Sequence, residues 1–258
     1  MTVFTLERGT APLLISLPHD GTQLPRAFAQ RLSAPARVLP DTDWQVSRLY
    51  AFARELGASL LKPNYSRYVV DLNRPPDDAA LYPGQNSTGL CPVQRFDGGP
   101  IYRDGQQPDA GEVAERRQMF WQPYHDALSA EIDHLQHKHG RVLLWEAHSI
   151  RGQCPFLFDG PLPDFNIGTA DGRSCNPQLQ ARVEACLAAQ CAYSWVANGR
   201  FKGGYITRHY GRPDAGVDAV QLELAQRNYM DEDSFAWLPE RAARLQVSIR
   251  ELLVAALD

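Results

Sequence analysis

The sequence predicts an α/β fold in which a mainly parallel sheet is covered on both faces by helices. Two observations carry that expectation. Short apolar runs of strand length alternate along the chain with stretches of helical periodicity. No Gly/Ser linker, charge block or repeat divides the 258 residues, so a single domain over 1–258 is expected.

The elements follow in order. Pro12 to Leu17 reads as a short buried strand, closed by Pro18 and Gly21. DTDWQVSRLYAFARELGA reads as a helix with Asp41 as N-cap, an apolar stripe at Val46, Leu49, Tyr50, Ala53 and Leu56, and a stop at Gly57. SLLKP and RYVVDL look like two further strands. Asn73 to Asp109 is long, rich in Pro and Gly and weakly periodic, which marks it as a candidate lid. Glu112 to His139 reads as a long helix, kinked or interrupted at Pro123. RVLLWEAHS is a nearly continuous apolar strand, and PFLFDG is a short strand candidate. A helix near Pro177 to Ala189, a strand at Tyr193 to Ala197, a glycine-punctuated loop and the strand DAVQLELA come next. The last helix, about Pro239 to Leu257, carries its stripe at Ala242, Leu245, Ile249, Leu252, Leu253 and Ala256.

Composition narrows the function. With 44% hydrophobic and 22% charged residues the chain has the balance of a soluble globular protein. A formal charge of −4 argues against a nucleic-acid binder, although local arginine-rich stretches suit an anionic small molecule. No apolar run approaches the roughly 20 residues of a membrane span. The start, MTVFTLERGTAP, lacks signal-peptide features, so a cytoplasmic location is expected. The five cysteines (91, 154, 175, 186 and 191) are odd in number and without CxxC spacing, which disfavours both a disulfide framework and a cysteine zinc site. Nothing in the sequence marks an oligomeric state.

Ionisable residues collect where apolar strands end: His19 after LLISLP, Asn73 and Arg74 after RYVVDL, Glu146 and His148 in RVLLWEAHS, and Glu223 in DAVQLELA. In open α/β sheets the ligand crevice lies outside the carboxyl ends of the strands, so these residues can converge. His19 and His148 could then share one borderline-soft ion, most plausibly Zn²⁺. The third ligand must be a carboxylate or another His, and DTDW offers Asp41 and Asp43. Asp41 is equally a helix N-cap. Asn73 and Arg74 form a candidate carboxylate clamp, with Arg208 in GGYITRHYG as a second one. Two such arginines suit a dianionic substrate, and each could instead be a structural ion-pair residue. Glu223, inside an apolar strand, would be held at a raised pKa useful for proton shuttling. His125, His134, His137 and His139 fit a solvated helix face. A cysteine hydrolase built on Cys91 or Cys154 and a non-catalytic binder of acidic metabolites are the competing classes, with packing the simplest role for the thiols.

Together, SLPHDGTQLP, DTDW, SRYVVDLNRPPD, LYPGQNSTGLCP, LWEAHSI, GGYITRHYGRP and LELAQRNYM resemble the N-formylglutamate amidohydrolase (deformylase) family, over about residues 8 to 232. The resemblance implies release of formate from N-formyl-L-glutamate, a small dicarboxylate substrate, during histidine breakdown. More distantly the pattern is similar to zinc carboxypeptidases and aspartoacylases. That similarity implies a three-layer α/β/α sandwich with a mainly parallel mixed sheet and a zinc (or other divalent metal) site. By it His19 is the first ligand and His148 the last, Asn73 and Arg74 clamp substrate, and Glu223 is the general base. Arg208 or Arg67 would hold a second carboxylate, with Arg208 also near the oxyanion. The chain departs from the HxxE pattern of those enzymes, since Thr22 is the third residue after His19. The carboxylate ligand must therefore come from elsewhere, with Asp41 and Asp43 as the candidates. Related zinc amidohydrolases of N-acetylaspartate or N-succinylglutamate are the nearest alternative.

Overall fold

The computed structural model describes residues 2–81 and 87–258. Among these, seven strands, β1 (Phe4–Glu7), β2 (Leu13–Ser16), β3 (Ser59–Pro63), β4 (Val142–Ile150), β5 (Phe165–Gly168), β6 (Trp195–Ala197) and β7 (Val217–Ala225), form one sheet in the order β1-β3-β2-β4-β7-β5-β6. β3, β2, β4 and β7 run parallel, β1 is antiparallel to β3, and β5 is antiparallel to β7 while parallel to β6. The sheet is thus mixed, with a parallel centre as expected.

Among the described residues seven helices cover it: α1 (Arg26–Ala29), α2 (Val46–Leu49), α3 (Ala110–Arg116), α4 (Gln122–His139), α5 (Pro177–Ala189), α6 (Tyr205–Tyr210) and α7 (Pro239–Leu257). α2, α5 and α7 pack on one face against Ile15, Trp145, Leu222 and their neighbours. α1, α4 and α6 pack on the other, against Leu14, Leu144 and Ala219. The three layers follow from strand periodicity, because alternate residues of a doubly covered strand feed opposite cores. Among the described residues no helix is long and apolar enough to cross a membrane.

The long helices start and stop for local reasons. Asn176 caps α5 by accepting from Gln178 N at 2.9 Å, with Pro177 just inside. All six stripe residues expected for α7 are buried. The chain around Pro123 does not break. A single π turn, Arg117–Trp121, joins α3 to α4 and precedes the proline, which sits in the first turn of α4.

Several expected elements form differently. RYVVDL is a series of turns, not a strand. Side chains take the carbonyls that a neighbouring strand would have used: Arg116 and Cys91 donate to Val69 O, and the His125 ring to Leu72 O. The DTDW helix shrinks to α2 plus 3₁₀ turns over Ala51–Leu56, because Gln45 holds a left-handed φ of 63°. Asp41 caps nothing; its Oδ2 accepts from Tyr68 OH (2.7 Å) and Phe96 N (3.0 Å). PFLFDG is also turn, with Leu157 N and Phe158 N both bonded to Cys154 O. Within the candidate lid, residues 82–86, part of LYPGQNSTGLCP, lie outside the described residues. Leu90, Ile101 and Tyr102 are buried in the core, and Gln94 bridges Pro100, so that part of the stretch is anchored.

Candidate metal centre and active site

On the face beneath α4 and α6, the central strands change character along their length. β4 presents Val142, Leu144, Glu146 and His148 in alternation, and β7 presents Val217, Ala219, Gln221 and Glu223. Their register pairs Glu146 with Gln221 and His148 with Glu223. An apolar half near the strand starts gives way to a polar half near the strand ends. β2 does the same, ending at Ser16 and delivering His19 just beyond.

His19, Asp43 and His148 are brought together, each with a ligand-type atom within 4.8 Å of the others. His148 Nδ1 lies 2.9 Å from Asp43 Oδ2, and His19 Nδ1 lies 3.7 Å from the same oxygen. The far nitrogens are each held by a carboxylate: His19 Nε2 by Asp71 Oδ1 and His148 Nε2 by Glu146 Oε1, both at 2.7 Å. A carboxylate on Nε2 fixes the hydrogen there and leaves the Nδ1 lone pair to face inward. Two such pairs aimed at one shared aspartate oxygen fit a divalent metal held by two nitrogens and one oxygen. All five residues are buried.

The charges fit as well. Burial would lower the His148 pKa, yet the Glu146 and Asp43 carboxylates outweigh it and hold the ring well above its ordinary value. Burial would raise Asp43, but the His148 hydrogen bond, His19 and Arg67 pull it below the usual range. The carboxylates around His148 thus favour positive charge at that point, whether a proton or a metal ion supplies it. His19 is lowered, first by burial and then by Arg67. This geometry separates the two aspartates: Asp43 is in the cluster, whereas Asp41 is spent on Tyr68 and Phe96 and its carboxyl is raised by burial.

Glu223, Asn73, Arg74 and Arg67 line the same cavity as His19, Asp43 and His148. Burial lifts Glu223 to about 8. Gln221 Nε2 reaches Glu223 Oε2 at 3.4 Å. Arg67 is an ion-pair residue before anything else, with Nη2 2.6 Å from Asp71 Oδ2 and its guanidinium 4.7 Å above the Phe96 ring. Arg74 donates to Thr88 O (2.7 Å), Thr88 Oγ1 (3.1 Å) and Asn73 O (3.1 Å). Arg208 is not among the described residues that line the cavity; its Nε bonds Gly203 O at 2.8 Å, and Arg200 does line it. Asp20 pairs with Lys62 at 2.9 Å.

α6, absent from the sequence expectations, organises the centre. Its leading N–H groups, which no helix can satisfy internally, are taken by remote site groups. Gly204 N donates to Gln221 Oε1 (2.7 Å), Tyr205 N to Asn73 O (3.4 Å), Ile206 N to Asn73 Oδ1 (2.9 Å) and Thr207 N to Glu146 Oε2 (3.1 Å). Residue 204 must be glycine because a Cβ there would stand 2.2 Å from the Asn73 amide. On α4, His125 is buried, donating from Nε2 to Leu72 O (2.8 Å) and accepting from Tyr210 OH (3.0 Å), with burial pushing its pKa down to about 3. Trp121 Nε1 bonds Arg74 O at 3.0 Å. The pair, one helical turn apart, clamps the main chain that bears Asp71, Asn73 and Arg74. Cys91 and Cys154, the thiols a cysteine hydrolase would use, are buried, and burial pushes them up to about 11 and about 12.

Fold and site together define an α/β protein with a candidate divalent-metal centre at the carboxyl ends of its parallel strands. Comparison with known proteins gives the family. Residues 11–230 match the N-formylglutamate amidohydrolase family model, and the chain belongs to that family. A relative named N-formylglutamate deformylase from Pseudomonas aeruginosa is 54% identical over 256 residues, covering 99% of this chain and 96% of the relative. One of the same name from Pseudomonas putida is 49% identical with the same coverage. The crystal structure of N-formylglutamate amidohydrolase from Ralstonia eutropha superimposes with a TM-score of 0.82 at 29% identity, covering 100% of this chain and 96% of that one. A gene product of Agrobacterium tumefaciens shares the fold at a TM-score of 0.74 and 21% identity, covering 100% of this chain and 95% of that one.

Proposed function

We propose that this protein hydrolyses N-formyl-L-glutamate to L-glutamate and formate, within histidine breakdown. A divalent metal, Zn²⁺ in the first instance, would be held by His19, Asp43 and His148. The observation that carries this reading is the pair of carboxylate-backed histidines aimed at Asp43 beside a buried glutamate. Three protein ligands of nitrogen and oxygen type suit a hydrolytic zinc site, which keeps a further position open. The names of the relatives, at 54% and 49% identity, supply the substrate.

When bound, the metal supplies Lewis acidity and makes water acidic enough to react near neutral pH. Glu223 takes the proton of the attacking water and passes it to the departing amine. Its burial-raised pKa of about 8 falls when positive charge enters the neighbouring cluster, which brings it into the range where it accepts and returns a proton. Asp71 and Glu146 keep the two imidazoles oriented. Arg74 binds one substrate carboxylate. The other meets Arg67 or Arg200, which face the same cavity, in preference to Arg208.

Formate release from N-formyl-L-glutamate by metal-stripped and Zn²⁺-reloaded protein tests the reading. Turnover should vanish on stripping and return on reloading, and be insensitive to a thiol alkylator. Equal rates on acetyl or succinyl substrates would move the assignment to another N-acyl amino acid. No formate and no bound metal would sink it.

A further inference from the structure

Glu146 has no exposed surface, and its two oxygens face in different directions. Oε1 meets His148 Nε2 at 2.7 Å. Oε2 accepts from Thr207 twice, from the backbone N at 3.1 Å and from the side-chain hydroxyl through a short hydrogen bond. Thr207 is itself fully buried, on α6, in a stretch distant in sequence from both Glu146 and His148.

The second neighbour of His148 Nε2 gives this hold a purpose. Asn73 Nδ2 stands 3.1 Å from the same nitrogen, with its Oδ1 occupied by Ile206 N. The amide thus presents a donor, which favours a lone pair on Nε2, while Glu146 presents an acceptor, which favours a hydrogen there. A lone pair on Nε2 would place the hydrogen on Nδ1 and block that atom as a metal ligand. Whichever neighbour is better fixed decides the tautomer.

We propose that Thr207 is a positioning residue for the metal centre: its hydroxyl locks the Glu146 carboxylate, which keeps the hydrogen on His148 Nε2 and leaves Nδ1 open toward Asp43. The inference rests on the reading of His19, Asp43 and His148 as the metal ligands. Loss of the hydroxyl leaves a buried carboxylate oxygen with one donor instead of two, free to swing and to release Nε2 to the amide. A residue that merely filled space would not act this way, since valine fills the same volume.

The test is Zn²⁺ affinity of metal-stripped protein, measured by competition with a chromophoric chelator at fixed pH and salt. Partners behind metal-bound histidines are worth about 10–100-fold in affinity, so Thr207→Val should weaken Zn²⁺ binding by about tenfold. Thr207→Ser, which keeps the hydroxyl, should stay within about threefold of the parent. Thr207→Ala carries the same measurement if the valine variant does not fold. A folded variant without the hydroxyl that binds Zn²⁺ as the parent does would overturn the proposal, as would a serine variant as weak as the valine one. A parent that binds no Zn²⁺ would remove the ligand reading itself and the proposal with it.

Discussion

Replacing Asp71 with asparagine should separate two jobs that one buried carboxylate performs. Asp71 is fully buried and bonded to His19 Nε2 (2.7 Å), Arg67 Nη2 (2.6 Å) and its own turn at Asn73 N (2.9 Å). Asparagine keeps the size and one acceptor but loses the charge. Arg67 is then left with more distant partners, Asp43 Oδ1 at 3.8 Å and Asp41 O at 3.5 Å. Orphaning one member of a buried ion pair costs about 3–5 kcal/mol. At roughly 2–4 °C per kcal/mol for a chain near this size, the melting point should fall by roughly 6–20 °C. Metal-stripped protein must be used, because bound ligand adds its own stabilisation.

Zn²⁺ affinity should fall about 10–100-fold in the same variant, because a neutral amide oxygen holds the Nε2 hydrogen of His19 less firmly than the carboxylate did and no longer raises the basicity of the ring. The double variant Arg67→Met/Asp71→Asn removes the orphaned cation, so it should regain most of the stability but none of the affinity. The sign with pH is also set. His19 and Arg67 overcome burial and hold the Asp71 pKa well below its ordinary value, so its contribution is whole above the usual carboxylate range. It fades as pH falls through that range toward the depressed value, and the gap between parent and Asp71→Asn should narrow there. An Asp71→Asn protein that melts and binds Zn²⁺ like the parent would refute the whole chain of reasoning.

Other expectations are simpler to read. Glu223→Gln should retain its metal by elemental analysis while formate release drops by about 10²–10⁴-fold; near-parental kcat would end its role as base. Asp43→Asn should lose tight Zn²⁺ binding, whereas Asp41→Asn should bind normally and lose only about 1–3 kcal/mol in denaturant titration, from its contacts to Tyr68 and Phe96. Arg200→Gln should raise KM for N-formyl-L-glutamate more than for N-formyl-L-glutamine, and Arg208→Gln should leave that ratio unchanged. A uniform rise on both substrates would remove Arg200 from carboxylate recognition.

The readable parts of the chain were those whose pattern is local and long. β4, β7, α5 and α7 follow from apolar runs or stripes with clear stops, and the strand-end rule brought His19, His148 and Glu223 to one place. Asp41 and Asp43 could not be ranked from sequence, since what separates them is a tyrosine hydroxyl and a backbone amide from residues 68 and 96. Val69 and Val70 suggested a strand, but side chains from α3 and α4 captured the carbonyls around them. α6 was hidden because its six residues are too few to show a period, and its opening amides are satisfied from positions 73, 146 and 221. Glu146 stood among the strand-end residues without an assigned role and Asp71 was not singled out, because their contacts to His148 and His19 exist only in the folded geometry.

The alternation along β4 and β7 ties the fate of the core to that of the chemistry. Slipping either strand by a single position would exchange its faces, carrying Glu146 and His148, or Gln221 and Glu223, into the apolar layer under α5 and α7. It would equally push Trp145 or Leu222 out toward the cavity. Misregistered chains therefore fail twice, by burying charge and by baring hydrocarbon. For these two strands, register errors are penalised by the strand period itself. For anyone redesigning this scaffold, the strands are the fixed part. The loops that reach the centre from outside the sheet are where substrate preference can be rewritten, whereas α6, with Ile206 and Tyr210 in the core, belongs with the fixed part.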